Sequence, residues 1–339
     1  MKNYVKNTEL GKKIFAVSPE NFDALAIDLF KFQYQNNPVY RKYCEAIHIN
    51  INQVLTIEKI PFLPISFFKT HAVKTTPFKS DIIFESSGTT QTVLQSKHFV
   101  KDLNIYRSSF TNCFEKFYGL PKKNCVLGLL PSYLERKKSS LILMVKELMK
   151  ASSNDLSNFY LYDYNKLHRT LMHNELLKIP TLLFGVTYAL LDFAKQYPIQ
   201  LKHTIVMETG GMKGRKEEIT RQQVHIFLQN QLGVGKVHSE YGMTELLSQA
   251  YSKADGIFNC PNWMKILIRE QDDPFNVITA NHCVDKSITG VINIIDLANI
   301  YSCSFIATDD MGRLSYDESF EVLGRIDHSD LRGCSLLAI

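Results

Sequence analysis

Five small or hydroxyl-bearing residues follow a short run of β-branched and aromatic residues near position 85. The run Ile82-Ile83-Phe84-Glu85 predicts a strand, and Ser86-Ser87-Gly88-Thr89-Thr90 comes directly after it. Backbone N–H groups and hydroxyls in such a loop can converge on an anion, and a glycine lacks the Cβ that would block close approach. No Gly-Lys-Ser/Thr follows, so the loop is not a P-loop. A phosphate cradle and an ordinary Ser/Thr turn are both compatible with these residues alone.

Three further clusters carry side chains suited to nucleotide chemistry. Gly210-Gly211 follows a predicted strand end and precedes two cations. Ser239-Glu240-Tyr241-Gly242-Met243-Thr244-Glu245 offers a ring for a purine, a hydroxyl for phosphate and a carboxylate of the kind that Mg²⁺ prefers. Thr308-Asp309-Asp310 predicts a turn at a strand end whose carboxylate can accept both ribose hydroxyls, and Arg325 can reach ribose or phosphate. Each cluster alone is also compatible with a loop, a capped helix start or a surface ion pair.

The elements that would position these clusters alternate along the chain. Strands are predicted at 125–130, 159–162, 181–184 and 204–207. Helices are predicted at 139–150, 166–178, 188–195 and 217–231. Such alternation is typical of βαβ units, which give a mostly parallel sheet covered by helices on both faces. Ligands bind beyond the carboxyl ends of such strands, where the Ser86 loop and the Gly210 turn would both lie.

The flanking regions predict an N-terminal arm and a β-rich second part. Apolar residues at helical spacing after Ser18-Pro19-Glu20 predict one helix over 21–43, and prolines at 60–69 predict an extended arm packed on the main body. Hairpin-like strands are predicted at 263–268, 277–280, 290–297, 304–307 and 320–323. We therefore predict an arm and α/β core over 1–254, and a β-rich subdomain over 255–339 that contains the 308–310 turn and a short C-terminal tail.

Composition excludes several classes of protein. There are 39 Lys and Arg against 34 Asp and Glu without a long basic run, so no nucleic-acid partner is implied. The seven cysteines form no Cys-x-x-Cys pair, as expected for reduced thiols rather than a zinc site. The N-terminus lacks an apolar signal core, and no uncharged apolar run reaches the length of a membrane span. We therefore expect a cytoplasmic protein without a membrane span.

Taken in order, the four clusters resemble the adenylate-forming superfamily, which includes acyl-CoA synthetases, luciferases and peptide-synthetase adenylation domains. Residues 86–90 match its phosphate loop, 241–245 its aromatic-to-glutamate motif, 308–310 its ribose-binding turn and 324–327 the segment before its hinge. The resemblance implies an α/β fold: a large domain with a mostly parallel, helix-covered sheet and a smaller antiparallel β subdomain.

Within that superfamily the chain is most similar to the LuxE-type acyl-protein synthetases. The arm at 61–69, the segment 208–215 and the ending Arg332-Gly333-Cys334 carry this likeness. The resemblance implies ATP and Mg²⁺ as cofactors and a carboxylic acid as substrate. The cofactor-binding residues that it implies are Ser86, Ser87, Gly88, Thr89 and Thr90 in the phosphate loop, Gly210, Gly211, Ser239, Glu240, Tyr241 and Gly242 around the adenine, Asp310 and Arg325 at the ribose, and Glu245 on the metal.

The candidate catalytic residues are Thr244, Glu245 and Cys334, which the resemblance implies, together with His238. His238 is favoured over His98 and His203 as a base or carboxylate guide, because it adjoins the adenine segment. Cys334 would accept the acyl group as a thioester by attack on the mixed anhydride. An inert thiol is the alternative for a single cysteine near a chain end.

Two departures from the superfamily pattern bear on mechanism. Gln91-Thr92-Val93-Leu94 stands where most members continue with Gly, Pro and Lys, and the nearest lysine is Lys97. The sequence ends at Ile339, so we expect the mobile C-terminal domain and its lysine to be absent.

The predicted function is ATP-dependent activation of a carboxylic acid, fatty by resemblance, with transfer of the acyl group to Cys334 or a partner. Possible acyl donors or acceptors are a thioesterase, a reductase or an acyl carrier protein. The turn at 184–188 and the residues between Gly210 and Tyr241 are expected to line the acyl pocket. The alternatives are an acyl-CoA or aryl-CoA ligase similar to phenylacetate-CoA ligase, and a non-catalytic nucleotide-binding scaffold.

Overall fold

The computed structural model describes residues 13–86, 94–131, 138–210, 220–282 and 286–326. Two helices, α1 (Pro19–Asn36) and α2 (Pro38–Ala46), lie where the sequence predicts one. Asn37 ends α1, and its side chain accepts hydrogen bonds from the N–H groups of Val39 and Tyr40, so it caps α2. The single-helix prediction is therefore wrong, because Pro38 has no N–H to continue the α1 ladder and begins a new helix.

The predicted N-terminal arm contains β1 (Leu63–Pro64) and α3 (Phe67–Thr70). β1 pairs in parallel with β14 (Phe305–Ser315), which fixes the arm to the main sheet. The arm thus packs on the main body as predicted, although α3 is one helical turn instead of extended chain.

A separate two-stranded antiparallel sheet consists of β2 (Ile82–Glu85) and β3 (Lys97–Val100). β2 confirms the strand predicted before the hydroxyl loop. α4 (Leu103–Tyr118) begins after Asp102, whose carboxylate accepts the N–H of Asn104.

The α/β half of the main sheet confirms the predicted alternation. Its strands are β4 (Cys125–Leu129), β5 (Asn158–Phe159), β6 (Thr181–Val186), β7 (Thr204–Thr209) and β8 (Val237–Tyr241). Its helices are α5 (Ser140–Ser152), α6 (Tyr164–Leu176), α7 (Thr187–Gln196) and α8 (Arg221–Leu232). The strands pair in parallel in the spatial order β5, β4, β6, β7, β8.

The remaining strands are antiparallel and extend the same sheet. They are β9 (Ala250–Ser252), β10 (Ile257–Asn259), β11 (Met264–Arg269), β12 (Val277–Ile278), β13 (Ser287–Asp296), β14 and β15 (Phe320–Arg325). Within the described residues the strands form one 13-stranded sheet in the order β12, β11, β13, β14, β15, β10, β9, β8, β7, β6, β4, β5, with β1 beside β14. The predicted division after residue 254 lies in the turn between β9 and β10, so both predicted parts share one sheet.

Buried apolar residues from both parts form one core cluster that runs along the sheet. None of the helices in the described ranges combines the length and the apolar character that crossing a membrane requires.

Candidate active site

The chain between β8 and β9 is irregular and carries Thr244 and Glu245. Gly242 begins this segment, and a Cβ added there would lie 2.5 Å from Oε1 of Glu240, so another residue would require the Glu240 side chain to move. The N–H of Leu246 then donates to the oxygen of Met243 at 3.2 Å. Because residues 243–248 form neither helix nor strand, their main-chain polar groups need other partners.

Side chains far away in sequence supply two of those partners. Nδ1 of His98, on β3, lies 2.8 Å from the main-chain oxygen of Thr244. The amide of Asn299, between β13 and β14, donates to the main-chain oxygen of Glu245 at 2.9 Å. The first half of the segment is therefore held from two sides.

Asp296, at the end of β13, holds the second half. Its carboxylate accepts the N–H groups of Leu247 at 2.8 Å and Ser248 at 3.0 Å, and the Ser248 hydroxyl at 2.6 Å. Complete burial raises the pKa of Asp296 to about 6, although the hydrogen bonds from Ser248 and Leu247 oppose the shift. The indole of Trp263 donates to the Ser248 hydroxyl at 3.0 Å. Neither Asp296 nor Asn299 was predicted from the sequence to be a site residue.

Tyr241 and Arg325 both bind the carboxylate of Asp310. The Tyr241 hydroxyl donates to Oδ2 at 2.8 Å, and Nε of Arg325 donates to Oδ1 at 3.1 Å. Burial, together with the charge of Asp310, raises the pKa of Tyr241, so its phenol stays protonated and donates. Asp310 is 6% exposed, whereas the Arg325 side chain is 77% exposed. Part of the guanidinium is therefore open to a ligand.

Asp310 lies inside β14, so the prediction of a turn at 308–310 is wrong. Val291 pairs with Met311 and Asn293 with Ala307, so β14 has extra residues opposite β13. Arg269 on β11 stabilises this bulge by donating to the main-chain oxygen of Thr308 at 2.6 Å. A bulge changes the direction of nearby side chains, so it can orient Asp310 as the predicted turn was expected to do.

Glu245 is 5% exposed and lies near two cations. Burial raises its pKa, while the Ser96 hydroxyl and the charges of Arg325 and Lys69 act in the opposite direction. Arg325 thus contacts Asp310 directly and acts on Glu245 through its charge. The described residues contain no group of three or more His, Cys, Asp and Glu side chains able to hold a metal ion. Mg²⁺ usually binds one or two carboxylates together with water and substrate phosphates, which Glu245 fits.

The predicted adenine residues lie where β7 and β8 run side by side. Glu208 pairs with Ser239, and Thr209 pairs with Glu240. Thr209 donates its hydroxyl to Glu240. Gly210 follows with φ of +76°, a left-handed conformation that favours glycine.

The candidate histidines lie in different surroundings. His238 faces α4, on the side of β8 opposite Tyr241, and its Nδ1 lies 3.1 Å from the Tyr118 hydroxyl. Burial, together with the charge of the nearby Lys253, lowers the pKa of His238 to about 4. His203 is exposed before β7, and its main-chain N–H donates to the Glu175 carboxylate at 3.0 Å. Of the three, His98 is the one hydrogen-bonded to the Thr244 segment.

Several predicted site residues lie outside the described residues: Ser87, Gly88, Thr89, Thr90, Gly211 and Cys334. Ser86 is described, and its hydroxyl accepts the N–H of Ser96 at 2.9 Å. Its own N–H donates to the oxygen of Ser96 at 3.0 Å, so Ser86 extends the β2–β3 hairpin.

The chain belongs to the acyl-protein synthetase family called LuxE. The family model described as acyl-protein synthetase, LuxE, matches residues 15–338. No curated protein matches the chain.

Similar solved structures come from larger enzymes. The luciferase-like enzyme of the nonluminescent mealworm Zophobas morio is 16% identical with a TM-score of 0.46, over 75% of this chain and 60% of that one. A long-chain-fatty-acid-CoA ligase from Archaeoglobus fulgidus is 13% identical with a TM-score of 0.49, over 72% and 51%. The O-succinylbenzoate coenzyme A synthetase of Bacillus subtilis, in complex with AMP, is 14% identical with a TM-score of 0.48, over 74% and 50%. The chain thus spans roughly half to three-fifths of the length of these enzymes.

Proposed function

We propose that this chain activates a carboxylic acid with ATP and passes the acyl group to a protein thiol, its own Cys334. The observation that carries the proposal is the joint placement of Tyr241, Asp310, Arg325 and Glu245. A buried carboxylate held by a tyrosine and an arginine suits the two hydroxyls of a ribose. The family description, acyl-protein synthetase, supports the same activity.

The residues present fit ATP and Mg²⁺. Asp310 would accept the ribose hydroxyls, and Glu245 would hold Mg²⁺ together with phosphate oxygens and water. Bound Mg²⁺ would neutralise phosphate charge during attack by the substrate carboxylate. The exposed part of Arg325 can stabilise negative charge that develops nearby, and Thr244 offers a hydroxyl to a phosphate oxygen.

Burial makes the described cysteines poor acceptors, which leaves Cys283 and Cys334 as candidates, and the family likeness favours Cys334. The five cysteines in the described ranges are free thiols, and burial raises the pKa of each of them: Cys44, Cys113, Cys125, Cys260 and Cys303. Thiols with raised pKa values are poor nucleophiles at neutral pH. In the proposed transfer the Cys334 sulfur forms a bond to the carbonyl carbon. The bond from that carbon to the phosphate oxygen breaks, AMP leaves with its electron pair, and the thiol proton passes to solvent.

The substrate and partners are proposed by family likeness. A fatty acid is the proposed substrate, and a thioesterase, a reductase or an acyl carrier protein is the proposed donor or acceptor partner, in the cytoplasm. The predicted acyl-pocket turn is described: residues 184–188 lie at the β6–α7 junction and are buried.

Intact-protein mass spectrometry tests the proposal. The protein is incubated with ATP, Mg²⁺ and a mixture of fatty and aromatic acids, alongside Cys334→Ser and a matched Cys283→Ser control. We expect a hydroxylamine-labile acyl adduct on the wild type and on Cys283→Ser, and none on Cys334→Ser.

Two other outcomes would redirect the assignment. AMP formation without an adduct would identify a ligase with an external acceptor, such as coenzyme A. The absence of nucleotide turnover with every acid tested would favour the alternative of a non-catalytic nucleotide-binding scaffold.

A further inference from the structure

His98 is a buried histidine whose ring contacts the segment that carries Glu245. It is 1% exposed, and its ring packs edge-on against Phe68 with 5.9 Å between centroids. A main-chain oxygen can only accept a hydrogen bond, so the contact with Thr244 requires the proton to be on Nδ1. Nε2 then carries the lone pair.

The second ring nitrogen of His98 makes no such contact. Nε2 is buried and has no hydrogen-bonding partner among the residues that the structure describes. A general base must be within hydrogen-bond reach of the proton that it abstracts. Among the described residues, His98 therefore has a structural role through Nδ1, whereas its Nε2 contacts no hydrogen-bonding group.

The Nδ1 contact matters because the segment it holds has no regular structure of its own. His98 reaches the oxygen of Thr244 from the β2–β3 hairpin, whereas Asn299 and Asp296 hold the following residues from the end of β13. Removal of the His98 contact would leave the Thr244 peptide without its anchor on the hairpin side. The adjoining Glu245 carboxylate would then lose its fixed position.

We propose that His98 is a positioning residue that fixes the main chain at Thr244 through Nδ1, so that the Glu245 carboxylate is held where Mg²⁺-ATP binds. The expected loss of turnover rests on the proposed function. The anchoring of the Thr244 main chain rests only on the hydrogen bond from His98. It assigns to His98 a role different from the base or carboxylate guide considered above.

Two substitutions separate the roles of the two nitrogens. His98→Asn places an amide N–H near the position of Nδ1 and removes Nε2, whereas His98→Leu removes both nitrogens. His168→Leu is the matched control, since His168 packs on Tyr197 with 5.1 Å between ring centroids, away from the Thr244 segment. Each variant is measured by hydrogen–deuterium exchange over residues 243–249 and by acid-dependent ATP–pyrophosphate exchange.

We expect His98→Leu to accelerate amide exchange in this segment and to lower kcat by about 100-fold, since a misplacement near 1 Å can cost that much. We expect KM for ATP to change much less, because the Asp310 and Arg325 contacts are untouched. His98→Asn should stay near wild type in both measurements, and His168→Leu should as well.

Other results would overturn the proposal. Loss of turnover in His98→Asn with wild-type amide exchange would assign the function to Nε2 as a base. Unchanged amide exchange in His98→Leu would show that the Thr244 contact does not hold the segment. If the wild type itself turns over no acid, the proposed function fails, and the amide-exchange comparison alone decides whether His98 anchors the segment.

Discussion

Two buried glutamates on neighbouring strands, Glu208 on β7 and Glu240 on β8, have opposite pKa shifts. Glu208 is 5% exposed and faces α7 and α8. Its carboxylate lies 3.4 Å from Nε of Arg221 and 3.7 Å from Nε2 of His225, and it accepts the Thr187 hydroxyl at 2.8 Å. Burial raises the pKa of Glu208, but His225 and Arg221 outweigh burial and bring it to about 2.

Glu240 has almost the same burial, 8% exposed, but far fewer partners. Because side chains alternate along β8, it faces α4, on the other side of the sheet from Ser239. Burial raises the pKa of Glu240 to about 7; the Thr209 hydroxyl opposes this shift, and the charge of Glu208 adds to it. Burial therefore does not set the charge state by itself: the partners on each face of the sheet decide it.

The largest expected effect follows from removing the ionised member of this pair. Glu208→Ala leaves Arg221 and His225 without their carboxylate, and breaking a buried ion pair typically costs about 3 to 5 kcal/mol. Because Arg221 is 32% exposed, we expect the lower end of that range in the free energy of unfolding. Urea denaturation at pH 7 measures this loss.

The matched control is Glu147→Ala, which breaks a partly exposed ion pair with Arg107 at 3.5 Å. Surface pairs contribute about 1 kcal/mol or less. If Glu208→Ala were no more destabilising than Glu147→Ala, the two faces of the sheet would not differ in the way described.

The next effect concerns the pH dependence of stability. The folded-state pKa of Glu240 is raised, so its contribution to stability is fully present below the unfolded value of 4.5 and is lost as pH rises through about 7. Glu240→Gln removes this titration. Between pH 4.5 and pH 8 we expect the wild type to lose on the order of 3 kcal/mol relative to the variant.

Urea denaturation at several pH values measures this difference. Asp296 and His98 also titrate in the acid range, but they are common to both proteins and cancel in the comparison. Parallel stability curves for the wild type and Glu240→Gln would show that Glu240 has an ordinary pKa.

The comparison also shows what the sequence could predict. The α/β alternation was predictable because strands β4, β6 and β7 are continuous apolar runs and the intervening helices keep helical spacing. The opposite pKa shifts of Glu208 and Glu240 were not predictable, because Arg221 and His225 reach Glu208 only through the packing of α8 on the sheet.

The candidate site was likewise predictable from the sequence only in part. Local motifs predicted Tyr241, Glu245, Asp310 and Arg325, and the structure brings these side chains together. The contacts that hold the segment span long separations, such as 146 residues from His98 to Thr244 and 49 from Asp296 to Leu247. Such contacts between a side chain and the main chain produce no periodic pattern. The bulge that aims Asp310 likewise depends on pairing with β13, so the sequence indicated a turn.

The smallest expected effect compares the hydroxyl donors of the two glutamates. Thr187→Val removes a hydrogen bond to an ionised carboxylate, for which about 1.5 to 3 kcal/mol is typical. Thr209→Val removes one to a carboxyl that is protonated at pH 5, for which about 0.5 to 1.5 kcal/mol is typical. Urea denaturation of both variants at pH 5 should therefore show the larger loss of stability for Thr187→Val.

Above pH 7 the contribution of Thr209 should rise toward that of Thr187, because Glu240 is then ionised and the Thr209 hydroxyl donates to a charged carboxylate. Equal losses at pH 5 would mean that both carboxylates are already ionised there, which would contradict the difference between the two faces of the sheet.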